Sequence, residues 1–117
     1  MAVESRGEAR TPINRKVNII QSDGSVVYAK ACDISHGGIC IISDLGCDPE
    51  HQFNISLNLT IEKEAMPIRA RVEARYIHLV GGEDKFRIGA RFVDFVGAGQ
   101  DHLDTYIQKR QNKPQFI

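Results

Sequence analysis

The 117 residues suffice for one ordinary domain with a single core and are too few for two. Fifteen basic and fifteen acidic side chains cancel to a net charge of zero, which excludes a broad electrostatic grip on long nucleic acid but leaves room for a small anion held by a few arginines. A hydrophobic content of 42% with 26% charged residues is that of a soluble globular chain; no stretch is apolar for long enough to cross a bilayer and "MAVESRGEAR" lacks the apolar centre of a secretory signal, so no membrane insertion and a cytoplasmic location are expected.

Residues 1–15 read as an N-terminal arm and residues 16–117 as one folded body. "KVNIIQ" and "SVVYAKACDI" flank "SDG", whose Asp-Gly pair marks a turn, so residues 16–34 are predicted to form a hairpin. "GICIIS" is the third predicted strand. In "FNISLNLTI" the apolar Phe53, Ile55, Leu57, Leu59 and Ile61 alternate with Asn54, Ser56, Asn58 and Thr60, the period of a half-buried strand. "PIRARVEARYI" places Ile68, Ala70, Val72, Ala74 and Tyr76 on one face and Arg69, Arg71, Glu73 and Arg75 on the other. "GGED" turns the chain into "KFRIGARFVDF", where Phe86, Ile88, Ala90 and Phe92 alternate again. Six short strands of this kind indicate an antiparallel barrel or a compact sandwich. The period then changes. In "GQDHLDTYIQKRQNK" Leu103, Tyr106 and Ile107 are three and four apart, with acids early and bases late, which predicts a short amphipathic helix docked by one face over a barrel opening.

Cys32, Cys40 and Cys47 are odd in number and lack C-x-x-C spacing, so free buried thiols are expected, with neither a disulfide framework nor a metal site. His51, His78 and His102 are scattered without ligand spacing.

One stretch resists a purely structural reading. "ACDISHGGICII" has a strand's apolar rhythm broken by Asp33, Ser35, Gly37 and Gly38. Residues two apart on a strand share a face, so Asp33 and Ser35 are expected to point at one place, an acceptor beside a donor-acceptor, suited to a planar group with adjacent N–H donors. The glycines permit a positive-φ turn and a close approach to the backbone. The complement lies in the arm: "RGEAR" sets Arg6 and Arg10 four apart, and arginine matches phosphate bidentately and stacks on bases. Two arginines on an arm with Asp and Ser on a sheet describe a site for a phosphate-bearing purine. Taken singly, each half has a plainer reading, the acid and hydroxyl as turn caps and the arginines as a solvated terminus.

"RGEAR" matches the RxxxR motif and "DISHGG" the DxSxxG motif of PilZ domains, in that order, and "IGARFVDF" resembles the G-x-x-F strand such domains carry near their end. The chain thus resembles a PilZ domain over essentially its whole length. The resemblance implies a six-stranded antiparallel β-barrel with a C-terminal helix that binds cyclic di-GMP as its ligand, without a further cofactor. It implies that Arg6 and Arg10 engage guanine faces and phosphates, Asp33 and Ser35 the guanine edge, and Gly38 the tight approach. Further contacts are open to Arg15, His36, Gly37, Arg75 and Gly89; the plainer readings are a solvated charge for Arg15, a loop histidine for His36, a solvated outer stripe for Arg69, Arg71 and Arg75, and close packing for Gly89 and Phe92. Many members carry another arginine before the first motif arginine and tend to bind a stacked ligand dimer; Ser5 stands there, which tilts the expectation to one ligand per chain.

No Ser/His/Asp or Cys/His arrangement, paired carboxylates or P-loop is present, so no enzyme is expected. Binding of single-stranded nucleic acid would want aromatic platforms and a basic groove, whereas the chain has no Trp and 7% aromatics. The remaining alternative is a PilZ-like protein acting by protein contact alone in type IV pilus assembly; such members lack the motif residues present here. The expected role is an adaptor that reports the ligand to an effector protein by ordering its arm.

Overall fold

The computed structural model describes residues 9–82 and 84–111. Six strands, β1 (Thr11–Ile20), β2 (Val26–Ile34), β3 (Gly38–Ser43), β4 (Gln52–Ile61), β5 (Glu64–Val80) and β6 (Lys85–Phe95), precede one helix, α1 (Gly99–Gln111). All neighbours pair antiparallel, and the sheet closes on itself in the order β1-β2-β3-β6-β5-β4. The expected barrel is therefore the architecture found, and the sandwich is not.

Alternation explains most of it. On β4 the residues Phe53, Ile55, Leu57, Leu59 and Ile61 are all buried while their polar neighbours face outward, and on β5 Ile68, Ala70, Val72 and Ala74 join them inside. Val17, Ile39, Ile41 and Ile88 complete the wall of one continuous apolar core. The β1–β2 connection uses the Asp-Gly turn as expected: Gly24 takes φ +89°, and the Asp23 carboxylate accepts from the Ser25 backbone N–H at 2.9 Å.

Strand direction puts the start of β1, the β2–β3 connection, the β4–β5 turn and the end of β6 at one end of the barrel. Helix α1 packs there against β5 and β4, contributing Leu103, Tyr106 and Ile107 to the core. Asp101 in its first turn and Lys109 and Arg110 in its last suit the helix dipole. Lys109 Nζ donates to Glu62 Oε1 at 3.1 Å, tying the helix to the β4–β5 turn. Asn112 and Lys113, included in the predicted helix, lie outside the described residues.

The structure departs from the sequence reading in three places. Strand β1 begins at Thr11, so residues 11–15 form part of the barrel wall and not of a free arm. Strand β5 begins at Glu64, three residues before Pro67, because Glu62 and Lys63 both adopt positive φ (53° and 68°) in a two-residue hairpin turn made without glycine. Tyr76, expected on the inward face, is 38% exposed. A register shift between Ala74 and Tyr76 inserts Arg75 as an extra residue, which turns Tyr76 outward to lie opposite Gly89.

Candidate functional site

Arg10 immediately precedes β1, and Pro12 pairs with Asp33 on β2, so the register brings the arginine alongside the acid. Arg10 Nη1 donates to Asp33 Oδ1 at 2.7 Å; the two side chains remain 43% and 25% exposed. The pair stands on the outer surface beside the turn that joins β2 to β3. Within that turn the Ser35 N–H donates to the Gly38 carbonyl at 2.8 Å, and the Gly38 N–H donates to Ser35 Oγ at 3.2 Å. Ser35 is 1% exposed. Strand β2 ends at Ile34, so strand alternation no longer governs Ser35, and its hydroxyl braces the turn by accepting from Gly38.

The glycines of the turn also differ from expectation. Positive φ occurs among the described glycines at Gly24, Gly82 and Gly97, not at Gly37 or Gly38. Gly38 is required by close packing: it pairs with Arg91 on β6, and a Cβ there would come within 2.5 Å of the Ala90 carbonyl oxygen. The Gly37 carbonyl accepts from the Phe92 N–H at 2.9 Å, which fastens the turn to the same strand.

Around the ion pair the outer wall of β3, β5 and β6 supplies a patch that sequence reasoning largely missed. A second register shift leaves Cys32 as an extra residue between Ala31 and Asp33, so Cys32 and Asp33 both face the outer side of β3, next to Cys40. Arg87 Nη1 lies 3.2 Å from Cys40 Sγ and 3.9 Å from Cys32 Sγ. Burial pushes the Cys40 thiol up to about 11, with the neighbouring Cys32 adding to it and the Arg87 hydrogen bond opposing it. Tyr76 feels this same group: its hydroxyl is raised chiefly by burial, and Cys40, Arg10, Asp33 and Arg87 are the charges that act on it. The signal for Arg87 was present, since it shares the outward row of β6 with Gly89 and Arg91; the signal for Tyr76 was hidden by the bulge.

Of the other candidates, Arg15 is turned away toward β4, donating to the Asn58 carbonyl at 3.1 Å and Thr60 Oγ1 at 2.8 Å. His36 is exposed on the turn, its Nδ1 3.0 Å from Asp104 Oδ1 of α1, so the turn and the helix are linked. Arg75 is exposed at the β5 bulge. Gly89 lies beneath the Tyr76 ring, where a Cβ would collide with it. Arg6 and Ser5 lie outside the described residues. Because Tyr76 is a partly exposed side chain able to swing aside, Gly89→Ala is expected to change stability by no more than about 1 kcal/mol while altering the tyrosine near-ultraviolet circular dichroism, which three tyrosines and no tryptophan make legible. A loss of several kcal/mol in denaturant unfolding would show that the ring cannot move.

The PilZ domain family matches residues 4–109. The chain belongs to the PilZ domain family. Solved structures of PilZ-type architecture agree on the fold. The Bacillus subtilis inhibitor of motility MotI superposes with a TM-score of 0.73 at 22% identity, over 92% of this chain and 51% of that one. Escherichia coli YcgR in complex with c-di-GMP gives 0.70 at 15% identity, over 91% and 46%. This PilZ domain thus spans about half the length of both proteins. The PilZ domain of E. coli YcgR with c-di-GMP gives 0.60 at 13% identity, over 92% and 97%. No curated protein matches the sequence. No helix among the described residues is long and apolar enough to cross a membrane.

Proposed function

We propose that this PilZ domain is a receptor for cyclic di-GMP and that it binds the nucleotide at the barrel rim, where Arg10 faces Asp33. The observation that carries the reading is that exposed ion pair, set between the two PilZ motifs and beside the braced Ser35–Gly38 turn. E. coli YcgR, which shares the fold, is a complex with c-di-GMP in its structures.

The chemistry is an exchange of partners. In the free protein the Asp33 carboxylate accepts from Arg10. Guanine carries adjacent N1–H and N2–H donors that can replace the guanidinium at the carboxylate. The released Arg10 then meets guanine O6 and N7 or a phosphate, both matched by its forked donors. Each charged group keeps a hydrogen-bond partner before and after the exchange, so recognition does not leave a bare ion desolvated. Arg6 joins from the segment before β1, and Gly38, through its tight turn, holds Asp33 at the rim. Ser35, buried in that turn, acts through the turn's shape. Arg15, His36, Gly37, Arg75 and Gly89 stay outside the primary contact set.

Ligand occupancy is reported to an effector protein through the domain surface. The segment before Thr11 gains contacts, and any shift of the 35–38 turn reaches α1 through the His36–Asp104 contact. Isothermal titration of the purified chain with cyclic di-GMP is expected to give saturable binding with one ligand per chain, consistent with Ser5 in place of an additional arginine. Amide exchange before Thr11 is expected to slow on saturation. Absence of binding by a folded chain would refute the receptor reading, a stoichiometry of two would refute the role given to Ser5, and unchanged exchange would refute the ordering mechanism.

A further inference from the structure

The strand bulge that leaves Cys32 beside Asp33 has a chemical result outside nucleotide recognition. Cys32 Sγ, a carboxylate oxygen of Asp33 and Cys40 Sγ all lie within 4.8 Å of one another. None of these residues is adjacent to Cys40 in sequence, and a seven-residue gap between the cysteines hides the cluster from any spacing rule. We propose that Cys32, Asp33 and Cys40 form a site for a thiophilic divalent cation of the zinc type, and that its occupation competes with the nucleotide for Asp33.

Geometry, charge and donor chemistry agree on this. Four donors around zinc at bond lengths of about 2.3 Å stand about 3.8 Å apart, so the three atoms need to close by about 1 Å, within the reach of small side-chain rotations. Two sulfurs and one oxygen are a donor set that zinc accepts, and Cys32 and Asp33 are only half-buried, which leaves the fourth position to water. Binding replaces two S–H bonds by two metal–sulfur bonds, forms one metal–oxygen bond, releases two protons to solvent and changes no oxidation state. A divalent cation with two thiolates and one carboxylate carries a net charge of −1, and Arg87 already points an N–H at both sulfurs, where it offsets that charge. Asp33 is the shared ligand: a carboxylate oxygen bound to the metal is no longer free to accept the paired N–H donors of guanine. The metal and the nucleotide therefore exclude one another, and this second claim rests on the receptor reading.

The test uses the full chain, kept reduced with a phosphine, and cobalt(II) as a visible stand-in for zinc. Titration is expected to raise a thiolate-to-cobalt charge-transfer band that saturates at one metal per chain and is bleached by zinc. The band is expected to be lost in Cys32→Ala, weakened at least tenfold in apparent affinity in Asp33→Asn, and retained in Cys47→Ala; Cys32 is half-buried, so its variant tests the site without removing a fully buried side chain as Cys40→Ala would. No band in the wild type, or a band unchanged in Cys32→Ala, would overturn the site. Adding cyclic di-GMP to the cobalt-loaded chain is expected to bleach the band. If the metal-free chain binds the nucleotide but the band persists at saturating nucleotide, the competition is overturned; if the metal-free chain binds no nucleotide, the receptor reading fails while a band lost in Cys32→Ala still upholds the metal site.

Discussion

Replacing Arg10 or Asp33 with alanine is expected to weaken cyclic di-GMP binding about a hundredfold and to leave thermal stability nearly unchanged. The two effects separate because the same side chains do different work in the free and bound states. In the free protein the pair spans 2.7 Å with both side chains partly in water, and such exposed ion pairs contribute about 0–1 kcal/mol, a shift of a few degrees in Tm. In the proposed complex each residue would make charge-assisted hydrogen bonds shielded from water by the bound base, at about 1.5–3 kcal/mol apiece, or roughly tenfold to a hundred-and-fiftyfold in Kd. Titration calorimetry with scanning calorimetry on the same samples measures both. Affinity within threefold of wild type in either variant would remove the pair from the site. The double variant is expected to fall short of the product of the single effects, since each residue is the other's partner when the ligand is absent.

Gly38→Ala is expected to be the most destabilising single methyl addition at the motif, by about 3 kcal/mol or more, lowering Tm by more than about 10 °C. The added Cβ would meet the Ala90 carbonyl oxygen at 2.5 Å, with the Ala90 carbonyl carbon and the Arg91 Cα close behind at 3.5 and 3.6 Å. All three are backbone atoms of a paired strand, so no rotamer change relieves the contact and the β3–β6 ladder itself must part. This sets Gly38 against Gly89, where the obstacle is a tyrosine ring. Denaturant unfolding monitored by far-ultraviolet circular dichroism decides it: a Gly38→Ala variant within 0.5 kcal/mol of wild type would mean that β6 yields more easily than a paired strand should. Nucleotide binding by this variant is expected to decline in step with its folded fraction.

Strand identity and facing were legible because alternation of apolar and polar residues is a local signal, and β3 and β6 have the bounds their patterns indicate. At the two bulges beside the candidate site the sequence carried no mark. The bulge at Arg75 sits in an unbroken alternation that assigned Tyr76 to the core, and only its opposition to Gly89 on a strand reached through the next turn makes the outward position the better packed one. The bulge at Cys32 was likewise invisible, so the meeting of two thiols and a carboxylate went unanticipated. The β4–β5 turn misled for the opposite reason: Glu62 and Lys63 take a conformation that glycine and asparagine usually signal. At the rim the motifs named Arg10 and Asp33 as separate contacts to one ligand, and their direct pairing was not foreseen; the expectation that Ser35 shares a face with Asp33 extended strand alternation one residue past Ile34, to a side chain that is 1% exposed.

The barrel is sealed by the short ladder that joins Val17–Ile20 to Asn54–Leu57, two strands between which the chain must first lay down β2 and β3. Contacts this distant along the chain form late, because the intervening loop must be closed before they return any stabilisation. Arg10 and Asp33, by contrast, belong to the local β1–β2 hairpin and can meet early. Tyr76 and Arg87, which complete the surface beside them, arrive only with the last two strands. A growing or half-folded chain therefore displays a fragment of the proposed recognition surface and never the whole of it. On the proposed function, ligand binding would select molecules whose folding is finished, and by mass action would hold shut a seam that strand pairing alone closes over only four residues a side.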